Sequence, residues 1–444
     1  MKRLRGTRVV MFAFALMPVS TLAMAQTDPG PRGGAAGAGG PIAGLTLKEG
    51  KFFDSGADSF QEVASVTGSV AGTEPGLGPR FNLNSCAGCH AHPAVGGSSP
   101  HPNPQVSVAP TPEQLANVAG IISSDGPVRE VRFTTDGGVH DLFTITGRPD
   151  APKGCTISQP DFASNAGNLR FRIPTPVFGA GLIEAIEDAT IEANERRVNS
   201  FGITGNANRN GNDGTITRFG WKAQNKSLVI FAGEAYNVEQ GITNELFPDE
   251  RGEGGTQDPP ACRRVVTAPQ DTVHYELTQP QKVIDDVNNF ADFMRFLAAP
   301  APVSSYGTVT NAQIVAGEAA FNKAGCSVCH MKTMTTGNHA NAALRLKDVN
   351  LFSDLLVHDI GTGDGIAQGG ATGEQFRTAP LWGVGQRLFL MHDGEQTNLI
   401  DAINRHGGPE GTRVRQNFNG AGPDSGSNLG APERQNLLNF LRSL

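Results

Sequence analysis

The sequence has little cysteine, no excess of positive charge and no long apolar run in its body. Only 6 of its 444 residues are Cys. Lys and Arg total 36 against 43 Asp and Glu, a net charge of −7, so nothing basic points to nucleic acid. Past the first two dozen residues no stretch is apolar and long enough to cross a bilayer as a helix. The one apolar run, residues 9–17, is too short to span and follows Lys2, Arg3, Arg5 and Arg8. Ala23-Met24-Ala25 then supplies a small-residue cleavage pattern. We therefore expect residues 1–25 to be an export signal, with a periplasmic mature chain starting near Gln26. No Cys follows the cleavage region, which speaks against lipid attachment.

Four of the six cysteines form one pattern repeated twice. Cys86-Ala-Gly-Cys89-His90 lies in the first half and Cys326-Ser-Val-Cys329-His330 in the second. Cys-x-x-Cys-His is the attachment signature of c-type haem: the thiols bond the macrocycle and the adjacent His reaches the iron. A zinc site needs four ligands, and neither motif has a second Cys pair nearby. A redox dithiol has no need of the following His. Two covalently held haem c groups are expected, with Cys86, Cys89, Cys326 and Cys329 as attachment points and His90 and His330 as iron ligands. Cys155 and Cys262 remain. Export permits a disulfide between them, closing a loop of over a hundred residues worth about 4–5 kcal/mol in the chain-entropy model. Two unpaired buried thiols are the plainer alternative.

The chain divides at its Gly- and Pro-rich segments. Residues 26–43 contain Gly33-Gly-Ala-Ala-Gly-Ala-Gly-Gly40 and read as a flexible tether. Residues 44–300 form a first haem domain with a long, loop-rich insert, in which Val128 to Phe133 alternates like a strand. Within 279–298, Val283, Ile284, Val287, Phe290, Phe293, Met294 and Leu297 recur at helical spacing, so Met294 reads as core before it reads as a ligand. Ala298-Ala-Pro-Ala-Pro302 ends that helix. Residues 305–444 form a second domain, with a helix from Asn311 into Cys326 and a last helix from Ala431 to Leu444. The expected class is mainly α: two cytochrome c-like domains, the first carrying some β.

The segment Phe376-Arg-Thr-Ala-Pro-Leu-Trp-Gly-Val-Gly-Gln-Arg-Leu-Phe-Leu-Met-His-Asp-Gly394 resembles the C-terminal signature of bacterial di-haem cytochrome c peroxidases. It is closer to their relatives, the di-haem thiol oxidoreductase and peroxidase-like branch, which also shows pieces like Phe219-Gly-Trp-Lys222 and His406-Gly-Gly408. That resemblance implies a distal ligand for the second haem twelve residues past Gly394, where His406 stands. The peroxidases place Met there. A bis-His iron has a lower potential than a His/Met one. The resemblance also gives Arg377 a haem propionate to pair with, and His392 a hydrogen-bonding role beside the haem. Met391 reads as packing. Trp382 stands on an inter-haem route or simply packs.

For the first haem, His92 is too near His90 to reach the opposite face. His101, His140 and His358 stay open as distal ligands. Phe171 to Glu184 resembles the family segment entering that haem's distal pocket, which makes Glu184 the candidate acid/base. A helix-start carboxylate is the alternative. The family's interdomain calcium ligands would fall near Ile173 and Arg387, neither a suitable donor, so calcium is not supported. The implied activity is peroxidase-like. Electrons come from a small redox protein or a quinol-linked donor, pass from second haem to first, and reduce peroxide or another small oxidant. The competing class is a pure electron carrier with both irons six-coordinate. Oxidation of another molecule by a high-valent di-haem state, as in a methylamine-utilisation relative, is disfavoured because that relative has Tyr at the place of His406.

Overall fold

The computed structural model describes residues 26–253, 256, 258–262, 270–271 and 285–444. The expected export signal at 1–25 lies outside the described residues, as do Val283 and Ile284. Among the described residues are twelve α-helices and five sheets of two or three strands.

One packing device occurs in both halves. The helix Leu47–Gln61 starts at a capping box. The Thr46 hydroxyl accepts from the Glu49 amide, and the Glu49 carboxylate accepts from the Thr46 amide. Its Phe52, Phe53, Gly56 and Phe60 share a buried face against the helix Asp286–Phe296. At Gly56 an added Cβ would stand 2.3 Å from the Asn289 carbonyl oxygen, so only glycine permits this crossing. In the second half Asn311–Ala324 also opens with a capping box, Thr310 with Gln313, and packs on Ala431–Ser443. There Gly317 plays the same part, its Cβ position 2.0 Å from the Asn436 oxygen. Each Cys-x-x-Cys-His follows the first helix of its crossed pair.

The long stretch between the crossed helices of the first half carries the β structure. Glu130–Phe133 pairs antiparallel with both Val139–His140 and Leu169–Arg172. Cys155 and Cys262 are disulfide-bonded and buried in this core. The helix Leu228–Gln240, capped by the Ser227 hydroxyl and stopped at Gly241, packs on Asp286–Phe296.

Between the halves lies a buried ionic cluster. Arg172 Nη2 is 2.6 Å and Lys222 Nζ 3.2 Å from the two oxygens of Asp364, all fully buried or nearly so. Lys222 Nζ also donates to the carbonyls of Thr372, Gly373 and Gln375 at 2.8–3.2 Å.

The expected tether at 26–43 is not free. Asp28 accepts two hydrogen bonds from the buried Arg442 guanidinium, at 2.7 and 2.8 Å, and one from the Leu399 amide. Further on, the Arg32 amide donates to Gly385, Ala301 donates to Gly37, and Ile42 donates to Phe296. The segment is a strap across both halves. Its glycines expose backbone groups that neighbours use, whereas composition alone suggested only freedom. Asp28→Ala leaves the Arg442 charge buried without its partner. A denaturant titration should show a loss of about 3–5 kcal/mol; unchanged stability would mean the strap is not docked.

Candidate functional site

Each Cys-x-x-Cys-His forms one short turn at the wall of a cavity. The amide of His90 donates to the Cys86 carbonyl, and that of His330 to Cys326, both at 3.0 Å. The rings are held alike. His90 Nδ1 lies 3.0 Å from the Gly97 carbonyl, and His330 Nδ1 3.0 Å from that of Phe352. With Nδ1 donating, Nε2 keeps its lone pair for a metal. Burial pushes both imidazoles down to about 4, so they are neutral, the ligating form, at physiological pH. Phe60 meets the ring of His90 and Phe321 that of His330. Burial also pushes the Cys86 and Cys326 thiols up to about 12, the opposite of what thiol redox chemistry needs.

The second cavity encloses about 1360 Å³, its open mouth included. It is walled by apolar side chains such as Phe418, Leu437 and Leu441, and His330 and His406 both line it. His406 Nδ1 is tied to the Ala402 carbonyl at 2.9 Å, which leaves its Nε2 free in the same way. Arg377 and Arg387 line this cavity too. Arg377 Nε donates to the Gly220 carbonyl, but its Nη1 is buried with no partner. Neither guanidinium has a carboxylate within salt-bridge distance among the described residues. Burial pulls both down to about 10, Arg377 also through Arg387 beside it. Two desolvated cations facing one cavity call for an anion, and haem propionates supply it. The residues present therefore fit the group. His392, stacked on Phe376 at 3.9 Å and pushed down to about 3 by burial, lines the wall, as does Met391.

The first cavity encloses about 1110 Å³ and is lined differently. Its one histidine among the described residues is His90; Met294, Tyr236 and three carboxyl side chains, Glu130, Glu234 and Glu239, also line it. The Nε of Arg129, on the same wall, is buried and unpartnered, a second place for a propionate.

The structure sorts the remaining candidates. None of His101, His140 and His358 lines the first cavity. His101 is near the surface, 3.4 Å from Asp125. His140 stacks on Phe133 and is held by Asp136 and Glu253. His358 lines the second cavity, between Asp354 at 3.0 Å and Glu410 at 3.2 Å. Glu184 lines neither cavity. Its carboxylate accepts from Arg295 Nε and from the Leu228 amide, both at 2.9 Å, so it serves a helix start. Glu239 is half-buried in the first cavity wall, and its carboxyl is raised well above the usual range by desolvation, then by Glu130 and Asp141. Its signal was helical spacing: with Ser227 and Gly241 as the helix ends, Ala232, Tyr236, Glu239 and Gln240 share a face. Trp382 is buried outside both cavities, whereas Trp221, its Nε1 donating to the Ile173 carbonyl, lines both.

Comparison with known proteins returned a family model described as "Di-haem oxidoreductase, putative peroxidase", which matches residues 132–444. No curated protein matches the sequence. Among solved structures, the diheme peroxidase BthA from Burkholderia thailandensis is similar at 13% identity and a TM-score of 0.38, covering 94% of this chain and 91% of that one. Hydrazine synthase of Kuenenia stuttgartiensis has 16% identity and a TM-score of 0.30, covering 61% and 88%. A MauG-like protein associated with microbial copper homeostasis has 14% identity and a TM-score of 0.29, covering 61% and 90%. The sequence match takes in well over half of the chain: this protein belongs to the di-haem oxidoreductase family.

Proposed function

We propose that the chain is an exported, periplasmic peroxidase-type oxidoreductase. It is built from two cytochrome c-like domains at about 44–300 and 305–444, each holding a covalently attached haem c. Cys86, Cys89 and His90 would hold one group, and Cys326, Cys329, His330 and His406 the other. The bound haems supply iron centres that store electrons and, where a coordination position is open, bind an oxidant. The observation that carries this reading is the asymmetry of the cavities: His330 and His406, each with Nδ1 tied to a carbonyl, both line the second, whereas His90 is the one histidine among the described residues at the first, where the carboxyl of Glu239 also stands.

The chain's own groups fall into roles on that basis. His330 and His406 present two neutral Nε2 atoms, a set suited to electron transfer. Arg377 and Arg387 orient the second group through its carboxylates. Trp221 gives the two cavities a common wall, and electrons would pass there from the second centre to the first. A small redox protein or a quinol-linked donor would supply them. Glu239, whose raised carboxyl favours the protonated form, would give that proton to the departing peroxide oxygen and regain one from the other peroxide oxygen. The apolar rings of Phe60, Phe231 and Phe290 keep bulk water from the first cavity.

One observation favours a second reading. Met294 is buried and lines the first cavity. If its thioether filled the sixth position, the protein would be an electron carrier with both irons six-coordinate. Electron paramagnetic resonance on oxidised and half-reduced protein separates the two. A high-spin ferric signal that peroxide perturbs supports the enzyme, and two low-spin signals in both states support the carrier.

His406→Ala should turn one low-spin haem high-spin in that spectrum, and an unaltered spectrum would put the ligand elsewhere. Glu239→Gln should lower the rate of peroxide turnover by about 10²–10⁴-fold, the usual contribution of a positioned proton carrier. Haem content and reducibility should stay the same. Full turnover in this variant, or loss of turnover in Glu184→Gln instead, would return the role to Glu184.

A further inference from the structure

One polar pair at the first cavity, a buried phenol and a half-buried carboxylate, has no part in the reading above. Tyr236 lines the cavity and is buried, and its hydroxyl donates to Asp286 Oδ2 at 2.8 Å. Its ring sits edge-on to Phe290 at 4.9 Å; Phe290 meets Phe60 at 6.2 Å, and Phe60 meets His90 at 5.9 Å. An unbroken aromatic chain thus joins the expected iron ligand to a phenol. Beyond the phenol stands an acceptor for its proton. Asp286 is hydrogen-bonded in turn to Ser59, and its amide donates to Asp271. Asp285 and Glu62 are further carboxylates near it. Ser59 lies on the half-buried side of the helix Leu47–Gln61, so the pair connects outward.

We infer that Tyr236 is a redox-active tyrosine, oxidised by one electron towards the first haem while its proton moves to Asp286. The inference rests on haem binding at Cys86, Cys89 and His90 and on its oxidation by hydrogen peroxide. In the step, the phenolic O–H bond breaks. The electron goes to the peroxide-oxidised haem, the proton goes to Asp286 Oδ2, and a neutral tyrosyl radical remains. The radical is quenched when one electron arrives from the second haem and the proton returns from Asp286. The hydrogen bond makes this possible. Burial and the facing Asp286 charge hold the phenol well above its usual range, so it does not ionise on its own. Loss of the electron and of the proton must go together. The pair would hold an oxidising equivalent when peroxide arrives faster than donor electrons.

The test is freeze-quench electron paramagnetic resonance on the full holoprotein after hydrogen peroxide, with no electron donor present. The expected result is an organic radical signal that narrows when the protein is grown on ring-deuterated tyrosine. The signal should be lost in Tyr236→Phe, fall in Asp286→Asn, and persist in Tyr306→Phe, whose hydroxyl donates to the Asn439 carbonyl far from this cavity. Haem signals in the same spectra distinguish the failures. If peroxide oxidises the haems and no radical appears, or the radical survives Tyr236→Phe, the tyrosine assignment alone is overturned. If peroxide leaves the haem signals untouched, the peroxidase reading falls and takes this inference with it.

Discussion

The two cavities are held in register by one carboxylate. Asp364 faces both Arg172 and Lys222 where water is excluded, so two cations share one anion. Such an arrangement survives burial only if the remaining donors are satisfied. Here three backbone carbonyls take the Lys222 ammonium, and the face of Phe376 lies 4.1 Å below it. The crowding of cations has a further effect. Burial pushes the imidazole of His392, stacked on the same Phe376 ring, down, and Arg172 and Lys222 add to that against the opposing charge of Asp364. The chain around these residues is the chain around both sites. Arg172 ends the strand that leads into the first cavity, Phe376 and Arg377 share a strand at the second, and Trp221 precedes Lys222. The Arg377 amide donates to the Trp221 carbonyl, so a shift of Asp364 would disturb both walls together.

What was legible in the sequence was local. The Cys-x-x-Cys-His motifs, the last helix and the strand near residue 130 are each written in a window of a few residues. The pairing of Cys155 with Cys262 was legible by elimination, because four other cysteines were committed. The pairing of His330 with His406 in one cavity followed the family spacing rather than any local pattern.

What was not legible depends on long-range contacts. Glu184 and Glu239 are both glutamates near a helix end, and only the fold decides which one meets Arg295 and which one faces a cavity. The two tryptophans pose the same problem, and the fold puts Trp221 rather than Trp382 between the sites. The strap at 26–43 is the clearest case. Glycine-rich composition reports the freedom of the unfolded chain. It does not report the carbonyls and amides of Gly385, Ala301 and Phe296 that take up the strap's backbone groups.

The difference between the two sites traces to one helix in each. Both halves use the same frame, two helices crossed at a glycine beside a Cys-x-x-Cys-His turn. Into the first, the insert brings Leu228–Gln240, whose inner face presents Tyr236 and Glu239. Into the second, the chain brings the short helix Leu399–Asn404, with His406 just past its end. A helix end leaves carbonyls without intrahelical partners. His406 uses one of them, that of Ala402, to fix its Nδ1, which leaves Nε2 free at a cavity that His330 also lines. The histidine at the second cavity is thus a by-product of helix termination, whereas Tyr236 and Glu239 at the first sit on a helix of about three turns. That length is available only because the first half carries the insert. The insert, then, supplies the side chains that make the lining of the first cavity unlike that of the second.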